Sequence, residues 1–319
     1  MNKIFGIIFL ILAVVSCNNK EKNVVDVSNI VLDFKINRFD QEFYAANETN
    51  IGELKNKYPY LFPFESPDSI WLQKINDPEE RELFKKAEVI FKNFNKEETQ
   101  IEDLFKHISY YHPTFKAPNV ITLINNLDYE NKIIYADSLL FVSLDMYLGK
   151  KDMVYRDFPE YLSKNYEKSQ IVVDIANAIV DRFITANRNR QFIDQIIYEG
   201  KKLYMLDSYM PTISDADKIG YTNDELAWVV ENEAQMWKYF IENQLLYSTD
   251  IELYSRFIAN APFSKFFIDI DKESPGKVGA WLGWQIVRSY MNNNNVTLHQ
   301  LLQTNADEIF KKSKYKPKK

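Results

Sequence analysis

The sequence is poor in three residue types that often carry chemistry. Its 319 residues include one cysteine, three histidines and eight glycines. A single cysteine excludes a disulfide within the chain and a cysteine-ligated zinc site. Scarce glycine disfavours glycine-rich phosphate loops and many tight β-hairpins. The net charge of −6 also argues against general attraction to nucleic acid, so no nucleic-acid partner is expected.

The abundant hydrophobic and aromatic residues indicate a folded domain with a large core. Hydrophobic residues make up 46% of the chain and charged residues 26%, which is ordinary for a globular protein. The 22 phenylalanines and 20 tyrosines predict a bulky, aromatic core. No internal repeat and no long linker divides the sequence, so we expect one domain.

The N-terminus has the pattern of a secretory signal. A lysine at position 3 precedes an apolar run over Ile4–Val15. As a helix this run spans about 18 Å, which is short of the roughly 30 Å hydrocarbon core of a bilayer. The pattern therefore favours a cleaved signal peptide over a lasting transmembrane helix.

The signal ends in a bacterial lipobox. Val14, Val15 and Ser16 precede Cys17, giving an aliphatic residue, a tolerant position, a small residue and a thiol. The small residue lets the peptidase approach, and the thiol carries diacylglycerol. We therefore predict cleavage before Cys17 and a lipid anchor in the cell envelope, at either the inner or the outer membrane. An ordinary signal peptide that happens to contain a cysteine is the alternative.

These features divide the chain into four parts. We predict a signal peptide at 1–16 and a polar, lipid-anchored tether at 17–28. One globular domain follows at 29–312, and a lysine-rich tail occupies 313–319.

The folded part is predicted to be α+β and mainly helical. An alternating segment at 31–36 suggests a strand. Three short β-branched or aromatic runs at 120–124, 132–137 and 139–145 predict a small meander. Everything after Phe158 has helical spacing. The expected architecture is a sheet of about three to four strands followed by a helical half.

Several helix signals are specific. Asp77 followed by Pro78 predicts a helix start, because aspartate caps and proline fits the first turn. A capping box at Thr222 predicts a helix through about Asn243, whose apolar face would hold Leu226, Val230, Ala234, Trp237 and Ile241. The small residues in Gly279–Gly283 predict a close approach between two helices.

A search for catalytic patterns finds none. The sequence has no G-x-S-x-G turn, no P-loop and no G-x-G-x-x-G. Its histidines, His107, His112 and His299, lack the spacing of ligands on one helical face, so we expect them to be polar or half-buried near aromatic rings. No metal or cofactor is predicted.

The order of several segments resembles the gliding-motility lipoprotein GldB family. The likeness includes the lipobox, residues 35–40 and 58–63, Asp77-Pro78, and residues 275–279 followed by 284–287. It extends over nearly the whole chain. It implies a lipoprotein required for gliding over surfaces, working with machinery linked to adhesin secretion. It implies no catalytic residues.

A second likeness is to zincin metallopeptidases. A short sheet, a long helix near Ser169–Arg188 and then Glu199 follow the zincin order, in which H-E-x-x-H on the helix and a later glutamate hold zinc. Here the helix carries Asp174 and neither histidine. The likeness therefore implies a zincin-like scaffold without a metal site, with Asp174 and Glu199 as a candidate vestigial site.

Three functional hypotheses follow. The first is a non-enzymatic gliding component that acts through protein contacts, with four tryptophans as candidate anchors: Trp228, Trp237, Trp281 and Trp284. The second is an envelope hydrolase with an atypical carboxylate site at Glu199 and Asp174. The third is a lipoprotein that binds a small ligand.

Overall fold

Four strands and fifteen helices make up the regular structure of the described residues. The structure is a computed structural model, and it describes residues 24–63, 66–185, 189–268 and 271–318. The sheet strands precede most of the helices, which confirms the predicted mainly helical α+β class.

In chain order the elements are β1 Ile36–Asn37, α1 Phe39–Ala45, α2 Ile51–Lys57, α3 Asp68–Asn76, α4 Pro78–Ile90, α5 Asn95–Tyr111, β2 Asn119–Leu123, β3 Ile133–Ala136, β4 Leu139–Ser143, α6 Glu160–Ser163, α7 Gln170–Phe183, α8 Phe192–Tyr209, α9 Asp215–Ile219, α10 Asn223–Glu231, α11 Glu233–Glu242, α12 Glu252–Phe257, α13 Val278–Asn293, α14 Leu298–Gln303 and α15 Ala306–Ser313.

The sheet is mixed, so the predicted meander is wrong. Its strand order is β1-β2-β4-β3. β2 pairs with β1 and β4 in parallel, and only β3 and β4 form an antiparallel hairpin. The two central strands bury Val120, Ile121, Leu140 and Val142 completely, whereas β3 alternates between half-buried and exposed residues. The strand with exposed side chains on one face therefore lies at the edge.

The first predicted strand is much shorter than expected. Only Ile36 and Asn37 pair with β2, while the side chain of Val31 is 93% exposed. The alternation at 31–36 still gives one inward face, because Leu32, Phe34 and Ile36 pack against the core while the residues between them are exposed. Arg38 and Asp40 form an ion pair at 2.8 Å directly after the strand, where α1 begins.

The predicted capping signals are confirmed. The Asp77 carboxylate accepts hydrogen bonds from the backbone N–H groups of Glu79 and Glu80 at 2.9 and 3.0 Å. Thr222 and Glu225 form the reciprocal capping box of α10, with both hydrogen bonds present. These bonds satisfy N–H groups that a helix leaves without internal partners.

The long helix predicted after Thr222 is interrupted. It divides at Asn232 into α10 and α11, and the Asn232 side chain donates to the Trp228 carbonyl at 2.9 Å. The predicted apolar face is confirmed in part, since Leu226 and Trp237 pack against the core. Val230 and Ile241 are 40% and 48% exposed. The core instead receives Val229, Met236 and Phe240.

Helices α8 and α13 touch through their backbones, as the small residues of Gly279–Gly283 predicted. A Cβ atom added to Gly283 would lie 1.7 Å from the carbonyl oxygen of Ile196. A Cβ atom added to Gly200 would lie 2.3 Å from the carbonyl carbon and oxygen of Gly283. Only glycine fits at the crossing point of these two helices.

Buried charges join the same two helices to α9. Arg288 donates from Nε to Asp207 and from Nη1 to Asp215, at 2.7 and 2.6 Å. Lys218 Nζ lies 3.0 Å from Asp207, and the Trp284 indole N–H also donates to this carboxylate at 3.0 Å. Because each buried charge has hydrogen-bonded partners, the network is tolerated in the core.

The predicted C-terminal tail begins with packed residues. Ser313 is fully buried at the end of α15. The Tyr315 hydroxyl donates to Glu233 Oε1 at 2.6 Å, and its ring packs edge-on against Trp237 with centroids 5.2 Å apart. The first part of the segment at 313–319 is thus fixed against α11.

Replacing Gly283 by alanine should test the helix crossing. The added methyl group collides with the Ile196 backbone, and we expect the free energy of unfolding to fall by about 3 kcal/mol. Urea unfolding of the purified protein measures this change. Gly52→Ala is the matched control, because no atom lies within 4 Å of its Cβ position. An unchanged unfolding midpoint for Gly283→Ala would contradict the close contact.

Candidate functional site

The predicted lipid anchor lies outside the described residues. Val14, Val15, Ser16 and Cys17 all precede residue 24, where the description begins. Within the described ranges, no helix is both long and apolar enough to cross a membrane. The lipid anchor at Cys17 therefore stays a prediction.

The three histidines have different environments. His107 is buried, and its Nδ1 lies 2.9 Å from the Asp103 carbonyl oxygen. His112 stacks on Phe183 with ring centroids 3.8 Å apart, and burial lowers the pKa of its imidazole to about 4. His299 is exposed. The half-buried setting predicted near aromatic rings is confirmed for His112, and no group of three or more metal-ligating side chains occurs among the residues described.

Asp174 is held by two neighbours at the edge of the sheet. It projects from α7 and lies 2.7 Å from the Lys132 ammonium, which directly precedes β3. The Tyr147 hydroxyl also donates to its Oδ2 at 2.9 Å. The carboxylate is therefore engaged by a cation and a phenol.

Glu199 lies on α8 beside a different lysine. Lys202 Nζ is 3.9 Å from Glu199 and 3.0 Å from Asp181 on α7. Burial raises the pKa of Glu199, and the charges of Lys202 and Lys277 oppose that rise. Asp174 and Glu199 therefore have separate cationic partners, and they share no hydrogen bond in the described structure.

Lys277 is the last residue before α13 and has an unusual setting. Its φ of 63° is left-handed, a conformation that L residues other than glycine seldom adopt. Its ammonium donates to the Ile219 carbonyl at 2.7 Å. Burial lowers the pKa of Lys277 to about 8, since desolvation penalises its charged form.

Charges of both signs surround Lys277. Glu199 stabilises its ammonium, while Lys164, Lys202 and Lys132 repel it and lower its pKa further. Four lysines thus come close together, although they lie far apart in the sequence. Glutamate and aspartate partners on α7, α8 and α10 partly balance them.

A cavity of about 290 Å³ opens beside these lysines. Residues from the segment before β3, from α6 and its following turn, and from the segments around α12 and α13 line it. The lining residues most relevant to binding are Lys132, Lys164, Lys277, Tyr161, Tyr166 and Asn260.

The wall of the cavity is fixed by a tight backbone approach. A Cβ atom at Gly276 would lie 2.4 Å from the Ala261 carbonyl oxygen, so this position requires glycine. The Tyr221 hydroxyl donates to the Gly276 carbonyl at 2.6 Å. These contacts hold the backbone immediately before Lys277.

A second, more open depression lies beside α8. It has a volume of about 670 Å³ and is lined by Tyr198, Glu199, Ile251 and Tyr254 among others. The Ile251 side chain is 83% exposed and that of Tyr254 is 49% exposed. We call this depression the Ile251 groove.

Comparison with known proteins places the chain in a family. A family model described as gliding motility protein GldB matches residues 20–317. The chain belongs to the GldB family. No curated protein and no solved structure matches it. The likeness to zincin peptidases therefore has no support.

Two of the tryptophans predicted as anchors in this GldB family member are core residues. Trp284 is completely buried and Trp281 is 3% exposed, with their rings edge-to-face at 5.8 Å. Their apolar area and flanking glycines place them at the α8–α13 contact, so neither is available to a partner. Trp228 and Trp237 are half-buried.

The cluster formed by Lys132, Lys164 and Lys277 was not identified from the sequence. Lys277 stood out only as part of the segment 275–279, and Lys132 and Lys164 were not singled out. One signal was present: a lysine between a glycine and an apolar helix start occupies a position where helices favour negative charge.

Lys277→Met should reveal the shifted pKa through the pH dependence of stability. The pKa of Lys277 is lowered to about 8 in the folded state. Below pH 8 its positive charge therefore lowers the free energy of unfolding by the full amount. This loss of stability shrinks as the pH rises towards the pKa of the lysine in the unfolded chain. Between pH 7.5 and 9.5, the free energy of unfolding of wild type should rise by about 2 kcal/mol relative to that of the variant.

Urea unfolding at several pH values measures this difference. Lys238→Met is the matched control, since the Lys238 side chain is 72% exposed on α11. Its difference from wild type should not change with pH. If the difference in unfolding free energy between Lys277→Met and wild type also did not change with pH, the buried setting of this ammonium would be contradicted.

Proposed function

We propose that this GldB family protein is a lipid-anchored envelope component of the gliding machinery, linked to adhesin secretion, and that it acts by contacting other machinery proteins. The observation that carries the proposal is the family match over residues 20–317. The lipobox at Cys17, just before that range, supports attachment to a membrane.

The settings of the two candidate carboxylates support a role without catalysis. Asp174 is paired with Lys132 at 2.7 Å and accepts from Tyr147. Glu199 lies beside Lys202, which also binds Asp181. A general acid or base needs access to a substrate proton. Carboxylates engaged by lysines in this way are typical of structural ion pairs.

The Ile251 groove is the contact surface that we propose. Exposed isoleucine and tyrosine side chains gain most when a partner covers them, because apolar area then leaves water. Tyr198, Ile251 and Tyr254 line the groove from two different helical segments. Its volume of about 670 Å³ suits an apolar side chain or short segment of a partner.

Ile251→Glu in the native host should reduce gliding as much as deletion of the gene. The charge prevents burial of the groove against an apolar partner, while the fold is unaffected because the side chain is 83% exposed. Colony spreading and adhesin movement are the readouts. Immunoblotting should show wild-type amounts of protein.

Two matched variants sharpen this test. Val89→Glu places the same charge at a 78% exposed apolar position on α4 and should leave spreading intact. Glu199→Gln removes a carboxylate from the same groove and should also leave spreading intact. Normal spreading with Ile251→Glu would contradict the contact surface, and lost spreading with Glu199→Gln would support carboxylate chemistry instead.

Cys17→Ser tests the anchor separately. Without the thiol no diacylglycerol can be attached, so the protein should move from the membrane fraction to the soluble fraction. Its urea unfolding midpoint should be unchanged. Fractionation and intact mass of the purified protein are the measurements. Equal membrane retention of wild type and variant would rule out lipid attachment at this residue.

A further inference from the structure

We infer that the cavity beside Lys132, Lys164 and Lys277 binds a small organic anion through a phosphate or carboxylate group. The three ammonium groups come from segments that are distant in the sequence and meet at one cavity of about 290 Å³. That volume lies at the lower end of small-molecule sites, which span about 300 to 1,000 Å³.

Two of the three lysines that line the cavity are held in ion pairs. Lys132 is neutralised by Asp174 at 2.7 Å, and Lys164 by Glu225 at 2.6 Å. Lys277 forms no ion pair with a described residue, and its ammonium donates to the Ile219 carbonyl, which carries no net charge. An oxyanion in the cavity would supply the missing partner, in a setting where charged hydrogen bonds are strong.

The other polar groups of the cavity suit such a ligand. The tyrosines Tyr129, Tyr161 and Tyr166 line it, and their hydroxyls donate no hydrogen bond to any described residue. Burial raises the pKa of Tyr166, and the charges of the nearby Tyr129, Asp174 and Tyr161 raise it further. Phenol hydroxyls and the nearby Asn260 amide can donate to oxygen atoms of a ligand body.

The setting of Lys277 is unfavourable unless a ligand offsets it. Desolvation and three neighbouring lysines oppose its charged form, which Glu199 partly offsets, and the left-handed φ adds a backbone cost. Its position before α13 adds to this, because the start of a helix carries partial positive charge. Proteins retain such local conflicts mainly at functional sites.

The acidic groups near the cavity limit what can bind. Glu130 lies at the exposed rim, and Glu199 faces Lys277 from α8. A highly charged polyanion would meet these carboxylates as well as the lysines. The geometry therefore favours a ligand with one anionic group on a polar body. The cavity is distinct from the Ile251 groove, so this inference does not depend on the proposed contact role.

Calorimetric titration of the full-length protein tests the inference. Inorganic phosphate and acetate are titrated separately, with chloride keeping the ionic strength constant. At least one should bind saturably, and which one binds identifies the anionic group. Lys277→Met should weaken that binding tenfold or more. Lys238→Met, at an exposed lysine on α11, should bind like wild type.

A second measurement separates binding from a purely structural role of Lys277. Lysine acylation followed by mass spectrometry should show that the bound anion slows modification of Lys277 and Lys132 but not of Lys238. Absence of saturable binding by both anions would overturn the inference. Equal affinity in Lys277→Met, or equal acylation with and without the anion, would also overturn it.

Discussion

The backbone contact between α8 and α13 is the constraint on which the helical half depends. At Gly200 and Gly283 the two helices approach so closely that no side chain fits between them. That contact sets the distance between the helices along their whole length. It places Glu199, one residue before Gly200, on the same side of the fold as Lys277 at the start of α13. Glu199 lines the Ile251 groove, and its charge also acts on Lys277 at the lysine cavity.

Local signals predicted much of this fold from the sequence. Asp77 and Thr222 cap helices as expected, and the glycines of α13 mark a helix crossing, because both effects depend on residues close in sequence. Strand order was not predictable in this way. β2 pairs with β4 and not with β3, the next strand in the sequence, and three similar apolar runs do not reveal that order. Likewise the break at Asn232 was not predicted, although Leu226 and Trp237 pack against the core as expected.

The candidate site was harder to predict because it is assembled from distant segments. Lys132, Lys164 and Lys277 lie before a strand, after a short helix and before a long one, and each alone resembles an ordinary surface lysine. Only the folded chain shows that they converge and that Asp174 and Glu225 neutralise two of them. The sequence likewise did not show that Asp174 and Glu199, the candidate vestigial site, each lie beside a separate lysine.

The buried charges around Asp207 have a consequence for how this protein can change over time. Arg288, Lys218 and Trp284 all converge on the one carboxylate, and Arg288 also reaches Asp215. Loss of any single charged side chain leaves its former partners buried without an ion-pair partner. This destabilises the fold far more than replacing all of these residues together. Sequence drift at these positions must therefore be concerted, and a lineage that alters one of them is expected to carry compensating changes at the others.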